Sequence, residues 1–301
     1  MCLFPTRASL PLEGGRPLLN KEGDLILPCG KCRECISKRA MEWSQRARHE
    51  MAQHEENCFL TLTYSEENLK SDFIVKPDFQ KFIKLLRYHT GRNIRYMVSY
   101  EYGTKTYRPH MHAIIFGWEP CKQKFLKHTN SGHPLFTSDE VGKLWKHGFH
   151  SIGAANEKTA YYIASYALSG RTRTITHPRT GEVTTISDAM DVSKRPAIGL
   201  SYLLHNARQL VDSGGSMPRY YVKKLKEFNP TLHQRFEDER ITTFSSRSSY
   251  GLYAKFKIGE AQASHLDNEY RENSNEQQQI KAHENYLASK SADYDQLQGK
   301  K

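Results

Sequence analysis

Two histidines and two tyrosines stand at spacings that would bring each pair onto one face of its element. His110 and His112 flank Met111 in a stretch that predicts a β-strand, so both imidazoles would point to the same side. Tyr162 and Tyr166 are four residues apart in a segment typical of a helix, which stacks them one turn apart. Two imidazoles can hold a divalent metal ion, and two phenols can attack a phosphate in turn. Together the two pairs predict strand transfer on DNA through a phosphotyrosine.

A metal site at the histidines needs a further ligand. Glu101 ends the preceding predicted strand, and a hairpin between the two strands would place its carboxylate beside His110. Two imidazoles and one carboxylate suit Mn²⁺, Mg²⁺, Zn²⁺ or Fe²⁺, and the ligand types alone do not choose among them. The alternatives are histidines that only hydrogen-bond to their neighbours and tyrosines that only pack. Tyr161 lies about 100° around the helix from Tyr162, which predicts a packing role for Tyr161.

The cysteines near the N-terminus have the spacing of metal ligands. Cys29, Cys32 and Cys35 supply three thiols, one short of a closed zinc site. Cys2 becomes the fourth ligand if the N-terminal segment folds back. A histidine from elsewhere, an iron–sulfur cluster or free thiols are the alternatives, and we favour structural Zn²⁺.

The charge balance favours a polyanionic partner. Lys and Arg number 44 against 33 Asp and Glu, a formal net charge of +11 over 301 residues, so nucleic acid is the simplest ligand. The cations that we expect to contact single-stranded DNA are Arg39, Arg46, Lys105, Arg108, Lys158, Arg171 and Arg219. The stretches Lys194–Pro196 and Pro218–Tyr221 also mix basic and aromatic side chains, as nucleic-acid surfaces often do.

The apolar runs exclude a membrane protein. They are far too short to span a bilayer, and the N-terminus lacks a secretory pattern. We therefore expect a cytoplasmic protein with no membrane partner and with reduced thiols.

Periodicity predicts an α+β fold around an antiparallel sheet with helices packed on one face, and with the tyrosine helix against the metal-bearing strand. The predicted strands cover Cys58–Tyr64, Ile94–Glu101, His110–Gly117 and Gly148–Ile152; the predicted helices cover Ile36–His54, a segment from Pro77, Ser138–Trp145 and a segment from an Asn156 cap to near Gly170. We expect residues 1–28 to be mostly irregular, 121–137 to be loop-like and 171–190 to form a hairpin or mobile loop. Three parts are predicted: a Cys-rich element with a basic helix (1–55), a catalytic domain (56–235) and a polar tail, helical or disordered (236–301).

In this order, the motifs resemble those of the HUH endonucleases that initiate rolling-circle replication. Cys58–Tyr64 is similar to the first strand motif of that family, His110-Met-His112 to its His-hydrophobe-His motif, and Tyr162-x3-Tyr166 to the two-tyrosine motif of its larger members. The replication initiators of gokushovirus-like microviruses, small single-stranded DNA phages, also share the Pro28–Cys35 pattern. The resemblance covers roughly residues 1–225.

The resemblance implies metal-dependent nicking and rejoining of single-stranded origin DNA through a 5′-phosphotyrosine, with a host helicase and polymerase as partners. His110, His112 and Glu101 would hold Mn²⁺ or Mg²⁺. Related proteins usually carry a lysine one turn beyond the second tyrosine, where this chain has Ser169; Arg171 or Lys158 would have to supply that charge. The rivals are a relaxase or transposase of the same chemistry, a two-histidine-one-carboxylate iron oxygenase, and a non-catalytic zinc-containing DNA-binding protein.

Overall fold

An antiparallel sheet flanked by helices dominates the computed structural model, which describes residues 2–11, 17–20, 22–69, 76–103, 108–169, 172–176, 181 and 183–247. The α+β class is as predicted. The chain divides into two compact units, Met1–Cys29 with Ala207–Lys301 and Gly30–Asn206. The three-part division at residues 55 and 235 stays a prediction.

Twelve strands and seven helices fall within the described residues. The strands are β1 (Thr6–Ser9), β2 (Leu18–Leu19), β3 (Leu25–Leu27), β4 (Asn57–Tyr64), β5 (Arg95–Tyr102), β6 (Pro109–Phe116), β7 (Lys124–His128), β8 (Pro134–Thr137), β9 (Gly148–Ala154), β10 (Thr172–Thr176), β11 (Val183–Ser187) and β12 (Ala189–Val192). The helices are α1 (Arg33–Met51), α2 (Lys76–Thr90), α3 (Asp139–Leu144), α4 (Glu157–Ser169), α5 (Leu200–Asp212), α6 (Arg219–Phe228) and α7 (Pro230–Arg247).

The main sheet has seven strands in the order β12-β5-β6-β4-β9-β8-β7, and every pair is antiparallel. Strands β5 and β6 form the predicted hairpin. A second, separate pair joins β10 to β11, which confirms a hairpin within the stretch 171–190. In the other unit, β1 pairs with both β2 and β3.

Helices cover both faces of the main sheet, so the prediction of helices on one face was wrong. Ile114 and Phe116 of β6 pack with apolar residues of α1 and α4, whereas Met111 and Ile115 of the same strand pack with the buried face of α2. The physical reason lies in β6 itself. Its last four residues, Ala113–Phe116, are all apolar, and such a run is typical of a strand buried on both faces.

Two stretches expected to be irregular form strands. Residues 121–137 contain the hairpin of β7 and β8, and residues 1–28 contain β1 to β3. Every residue of β7 is exposed, and both residues of β2 are too. A strand without a buried face shows no apolar alternation, so the sequence carries no periodic signal there.

The helix that carries the tyrosines begins with a reciprocal cap. The backbone N–H of Thr159 donates to Asn156 Oδ1 over 3.0 Å, and the N–H of Asn156 donates to Thr159 Oγ1 over 2.9 Å. This pair satisfies two N–H groups that the helix cannot bond itself. The predicted Asn156 cap is confirmed, and the predicted end at Gly170 lies just outside the described residues.

Among the described residues, we find no helix that combines the length and the apolar character needed to cross a membrane.

Candidate metal centre and tyrosine helix

The strand register brings the three predicted metal ligands onto one face of the sheet. Glu101 of β5 lies directly opposite His110 of β6, and Ser99 lies opposite His112. Opposed residues of antiparallel strands share a face, and residues two apart along one strand share it as well. The hairpin predicted from sequence therefore places Glu101 beside both histidines.

The three ligand atoms converge. His110 Nε2 and His112 Nε2 each lie 3.9 Å from the same carboxylate oxygen, Glu101 Oε2, and all three ligand groups offer atoms within 4.8 Å of one another. Two imidazole nitrogens and a carboxylate oxygen form a donor set that fits Mn²⁺, Mg²⁺, Zn²⁺ or Fe²⁺. The arrangement leaves the choice of metal open, as the sequence did.

Neighbouring groups orient each ligand. His110 Nδ1–H donates to the carbonyl of Arg108 over 3.2 Å, and His112 Nδ1 hydrogen-bonds to Thr61 Oγ1 at 3.0 Å. With both Nδ1 atoms engaged, the Nε2 atoms face Glu101. The Ser99 hydroxyl donates to Glu101 Oε1 over 2.5 Å, which fixes the carboxylate. Such outer contacts hold metal ligands in position.

Burial sets the charge of the centre. Burial of the imidazole, together with the neighbouring His110, lowers the pKa of His112 to about 3. His112 is therefore neutral at pH 7, the form in which an imidazole binds metal. Glu101 is only 4% exposed. A bound divalent cation would compensate the charge of its carboxylate.

Helix α4 places a tyrosine at the ligands. The Tyr162 hydroxyl donates to Glu101 Oε2 over 3.3 Å and lies 3.4 Å from His112 Nε2. The Tyr166 ring follows one turn later, with its centroid 4.7 Å from that of Tyr162. Tyr161 instead points toward α1, where its hydroxyl lies 3.0 Å from Ser37 Oγ. The packing role predicted for Tyr161 is confirmed.

Burial raises the pKa of Tyr162 above its usual range, and the charge of Glu101 raises it further. Tyr162 is therefore a protonated phenol that needs activation before it can act as a nucleophile. Asp188, which immediately precedes β12, adds to this effect on Tyr162 and is itself only 7% exposed.

Sequence reasoning missed Thr61, Ser99 and Asp188. A weak signal existed for Thr61, since a hydroxyl in the strand motif Cys58–Tyr64 has to face either the core or a polar site. No comparable signal marks Asp188. It comes near Tyr162 only because β12 pairs with β5, Ala189 opposite Tyr100, across more than eighty residues of chain.

The four predicted zinc ligands are brought together. The backbone N–H of Cys29 donates to Cys2 Sγ over 3.2 Å, and the sulfur atoms of Cys2, Cys29, Cys32 and Cys35 all lie within 4.8 Å of one another. Gly30 follows Cys29 with φ +74°, a conformation that glycine adopts without strain. Four thiols complete the set that a tetrahedral zinc site requires.

The structure treats the seven predicted DNA-binding cations differently. Arg46 is buried, with its Nε–H donating to the Ile198 carbonyl and its guanidinium over Trp43, so this charge is held inside the protein. Arg108 donates to the Tyr64 carbonyl and pairs with Glu66. Lys158 and Arg219 are exposed and Arg39 is half-buried, whereas Lys105 and Arg171 lie outside the described residues.

A seven-stranded antiparallel sheet that carries a His-x-His strand beside a two-tyrosine helix defines the class of protein, and the comparisons agree. Residues 57–170, which contain both motifs, match the family model of the replication-associated protein ORF2. No solved structure matches the chain.

Three replication-associated proteins of phages are similar in sequence. VP4 of Bdellovibrio phage phiMH2K is 32% identical over 258 residues, 78% of this chain and 80% of its own. ORF2 of Spiroplasma virus 4 is 30% identical over 230 residues, 71% and 69% of the two chains. ORF4 of Chlamydia phage 1 is 34% identical over 154 residues, 48% and 39% of the two chains. The chain belongs to the family of microvirus replication-associated proteins.

Proposed function

We propose that this protein initiates rolling-circle replication by nicking and rejoining single-stranded origin DNA through a 5′-phosphotyrosine. One observation carries the proposal: the Tyr162 hydroxyl lies 3.3 Å from Glu101 Oε2 and 3.4 Å from His112 Nε2. A nucleophile and the ligands of a cation thus meet at one point, as the HUH motifs imply. The named replication-associated relatives support a role in copying viral DNA and favour this over the relaxase and transposase alternatives.

His110, His112 and Glu101 would hold Mn²⁺ or Mg²⁺. When bound there, the ion would orient and polarise the scissile phosphate. The chain prepares this site with two Nε2 atoms aimed inward and a carboxylate fixed by Ser99. Preorganised ligands need little rearrangement when charge develops on the phosphate.

Tyr162 is the first nucleophile in this proposal. Its phenolic oxygen forms a bond to phosphorus while the bond from phosphorus to the 3′ oxygen breaks. The phenol proton passes to water or a base, and the 3′ oxygen takes up a proton to become the 3′-hydroxyl that primes synthesis. The phosphotyrosine keeps the energy of the broken phosphodiester, so the strand can be rejoined without ATP.

Tyr166 would act in the second cleavage. It lies one helical turn beyond Tyr162, and the two rings are in contact. In this scheme it attacks when the origin has been copied again, and the transfer releases a finished circle. Lys158, one turn before Tyr162 and exposed, would contact the bound strand and supply the positive charge that Ser169 does not.

Four thiols of the Cys-rich element would hold structural Zn²⁺, because their donor set is complete. Single-stranded origin DNA is the proposed substrate, and Arg39 and Arg219 would contribute to its binding. The cytoplasm of a bacterial host, with a host helicase and polymerase, is the proposed setting.

Covalent capture tests this function. The protein is incubated with labelled single-stranded origin DNA and Mn²⁺, denatured, and examined for a labelled protein–DNA adduct. We expect an adduct with wild-type protein and with Tyr161→Phe, which removes a neighbouring phenol that faces α1. The adduct should be lost in Tyr162→Phe/Tyr166→Phe and in His112→Ala. Intact DNA with wild-type protein would leave the non-catalytic DNA-binding protein as the better account.

A further inference from the structure

A cationic pocket lies at the end of β5 opposite to Glu101. The cavity, about 390 Å³, is lined by α2, by the start of β5 and by the end of β12 with the residues that follow it. Its polar lining includes Arg87, Arg95, Tyr96, Asp191, Lys194 and Arg195. Arg95 and Glu101 are six residues apart on one strand, which separates the pocket from the metal centre by about 20 Å.

The charges of the pocket are mostly uncompensated. Arg95 is paired with the buried carboxylate of Glu50, and the one acid of the lining, Asp191, bonds to the Tyr96 hydroxyl. Lys194 Nζ lies 3.9 Å from Asp191, but its side chain is 79% exposed, so this contact is weak. Within the described part of the chain, neither Arg87 nor Arg195 forms an ion pair.

Backbone contacts hold the pocket in shape. Ser193 and Tyr96 exchange two hydrogen bonds, from Ser193 N–H to the Tyr96 carbonyl and from Tyr96 N–H to Ser193 Oγ, both 3.0 Å long. Arg95 Nη2 donates to the Pro196 carbonyl over 2.7 Å, and Arg87 donates from Nε and Nη2 to the Ile94 carbonyl. These contacts orient two guanidinium planes before any ligand arrives, which lowers the entropic cost of binding.

We infer that this pocket binds phosphate groups, and that its ligand is the backbone of the DNA strand whose scissile phosphate lies at the metal centre. Guanidinium groups match phosphate oxygens in geometry as well as in charge. A strand with the duplex rise of roughly 3.4 Å per nucleotide would cover the distance between the sites in about six nucleotides. The inference rests on the DNA partner of the proposed function, and it is independent of cleavage.

The test is single-stranded DNA binding by the full chain in EDTA, where no metal-dependent nicking occurs. Fluorescence anisotropy of a labelled oligonucleotide would compare wild type with Lys194→Gln/Arg195→Gln, whose replaced side chains are exposed. We expect the affinity of the variant to fall about tenfold. The slope of log affinity against log salt should shrink by about 1.4, because two phosphate contacts are lost at about 0.7 each.

The matched control is Lys122→Gln/Lys127→Gln. It removes the same charge from exposed positions at or near β7, the opposite edge strand of the sheet. An unchanged affinity in the pocket variant would overturn the inference, as would an equal loss in both variants, which would show an effect of net charge.

A competition arm separates the two sources of phosphate. Displacement of the oligonucleotide by a deoxynucleoside triphosphate at equal phosphate concentration, from wild type but not from the pocket variant, would assign the pocket to free nucleotides and overturn the assignment to DNA. Failure of covalent capture would leave this binding result unaffected, so the two proposals can fail separately.

Discussion

The two ends of β5 hold opposite kinds of site. At its C-terminal end, Glu101 joins His110 and His112 in a buried cluster suited to a cation. At its N-terminal end, Arg95 joins Arg87 and the residues after β12 in a pocket suited to an anion. One strand thus separates a group of neutral or anionic ligands from a group of guanidinium and ammonium donors by about 20 Å.

The difference shows how each kind of site is assembled. The metal end comes from one hairpin, so its ligands lie within twelve residues of sequence and the register alone aligns them. The cationic end combines α2, β5 and the residues after β12, which are about one hundred residues apart. Only the first kind of site is visible as a sequence motif.

The largest effect on stability should follow from breaking the support of the cationic end. Glu50 pairs with buried Arg95 and accepts a hydrogen bond from the Gly199 N–H over 2.7 Å. Glu50→Ala would leave the Arg95 charge buried without a partner, which costs about 3–5 kcal/mol. Urea denaturation of both proteins measures the difference in the free energy of unfolding.

Glu56→Ala is the control for that measurement. Glu56 pairs with Arg92 at the surface, where both side chains are about half exposed, so its loss should cost about 1 kcal/mol or less. A cost for Glu50→Ala as small as that of Glu56→Ala would contradict the role of this ion pair.

A smaller effect should follow from loosening the metal end. Thr61→Val keeps the size of the side chain and removes the hydroxyl that hydrogen-bonds to His112 Nδ1. Loss of such an outer contact typically weakens metal affinity about 10- to 100-fold. Calorimetric titration with Mn²⁺ would measure it, while single-stranded DNA binding in EDTA should stay at the wild-type value.

Thr63→Val is the matched control, because Thr63 lies two positions along the same strand, opposite His110. Its hydroxyl makes no hydrogen bond within the described residues. Equal Mn²⁺ affinity in Thr61→Val and in wild type would mean that the threonine does not orient His112.

The elements around the metal centre could be predicted because their signals are local. Alternation along β6 and the four-residue spacing in α4 fix which side chains share a face. The pairing of β5 with β6 follows from a short connection. The Asn156 cap was predictable for the same reason, since its partner is Thr159, three residues away.

What the sequence could not predict depends on long-range contacts or on exposed strands. Helix α2 packs on the sheet face opposite to α1 and α4, and no local pattern says which face a helix will cover. Strand β7 has no buried residue, and Asp188 reaches Tyr162 only through the pairing of β12. The cationic pocket escaped for the same reason, although Lys194 and Arg195 stood out as a basic pair.

The most direct test of the central claim is to locate the covalent link. After reaction with origin DNA and Mn²⁺, nuclease digestion and tandem mass spectrometry would identify the residue that carries the phosphonucleotide. We expect it on Tyr162 in wild-type protein after the first cleavage, because that hydroxyl lies at the ligands. A link on Tyr161, or on a residue outside α4, would contradict the account.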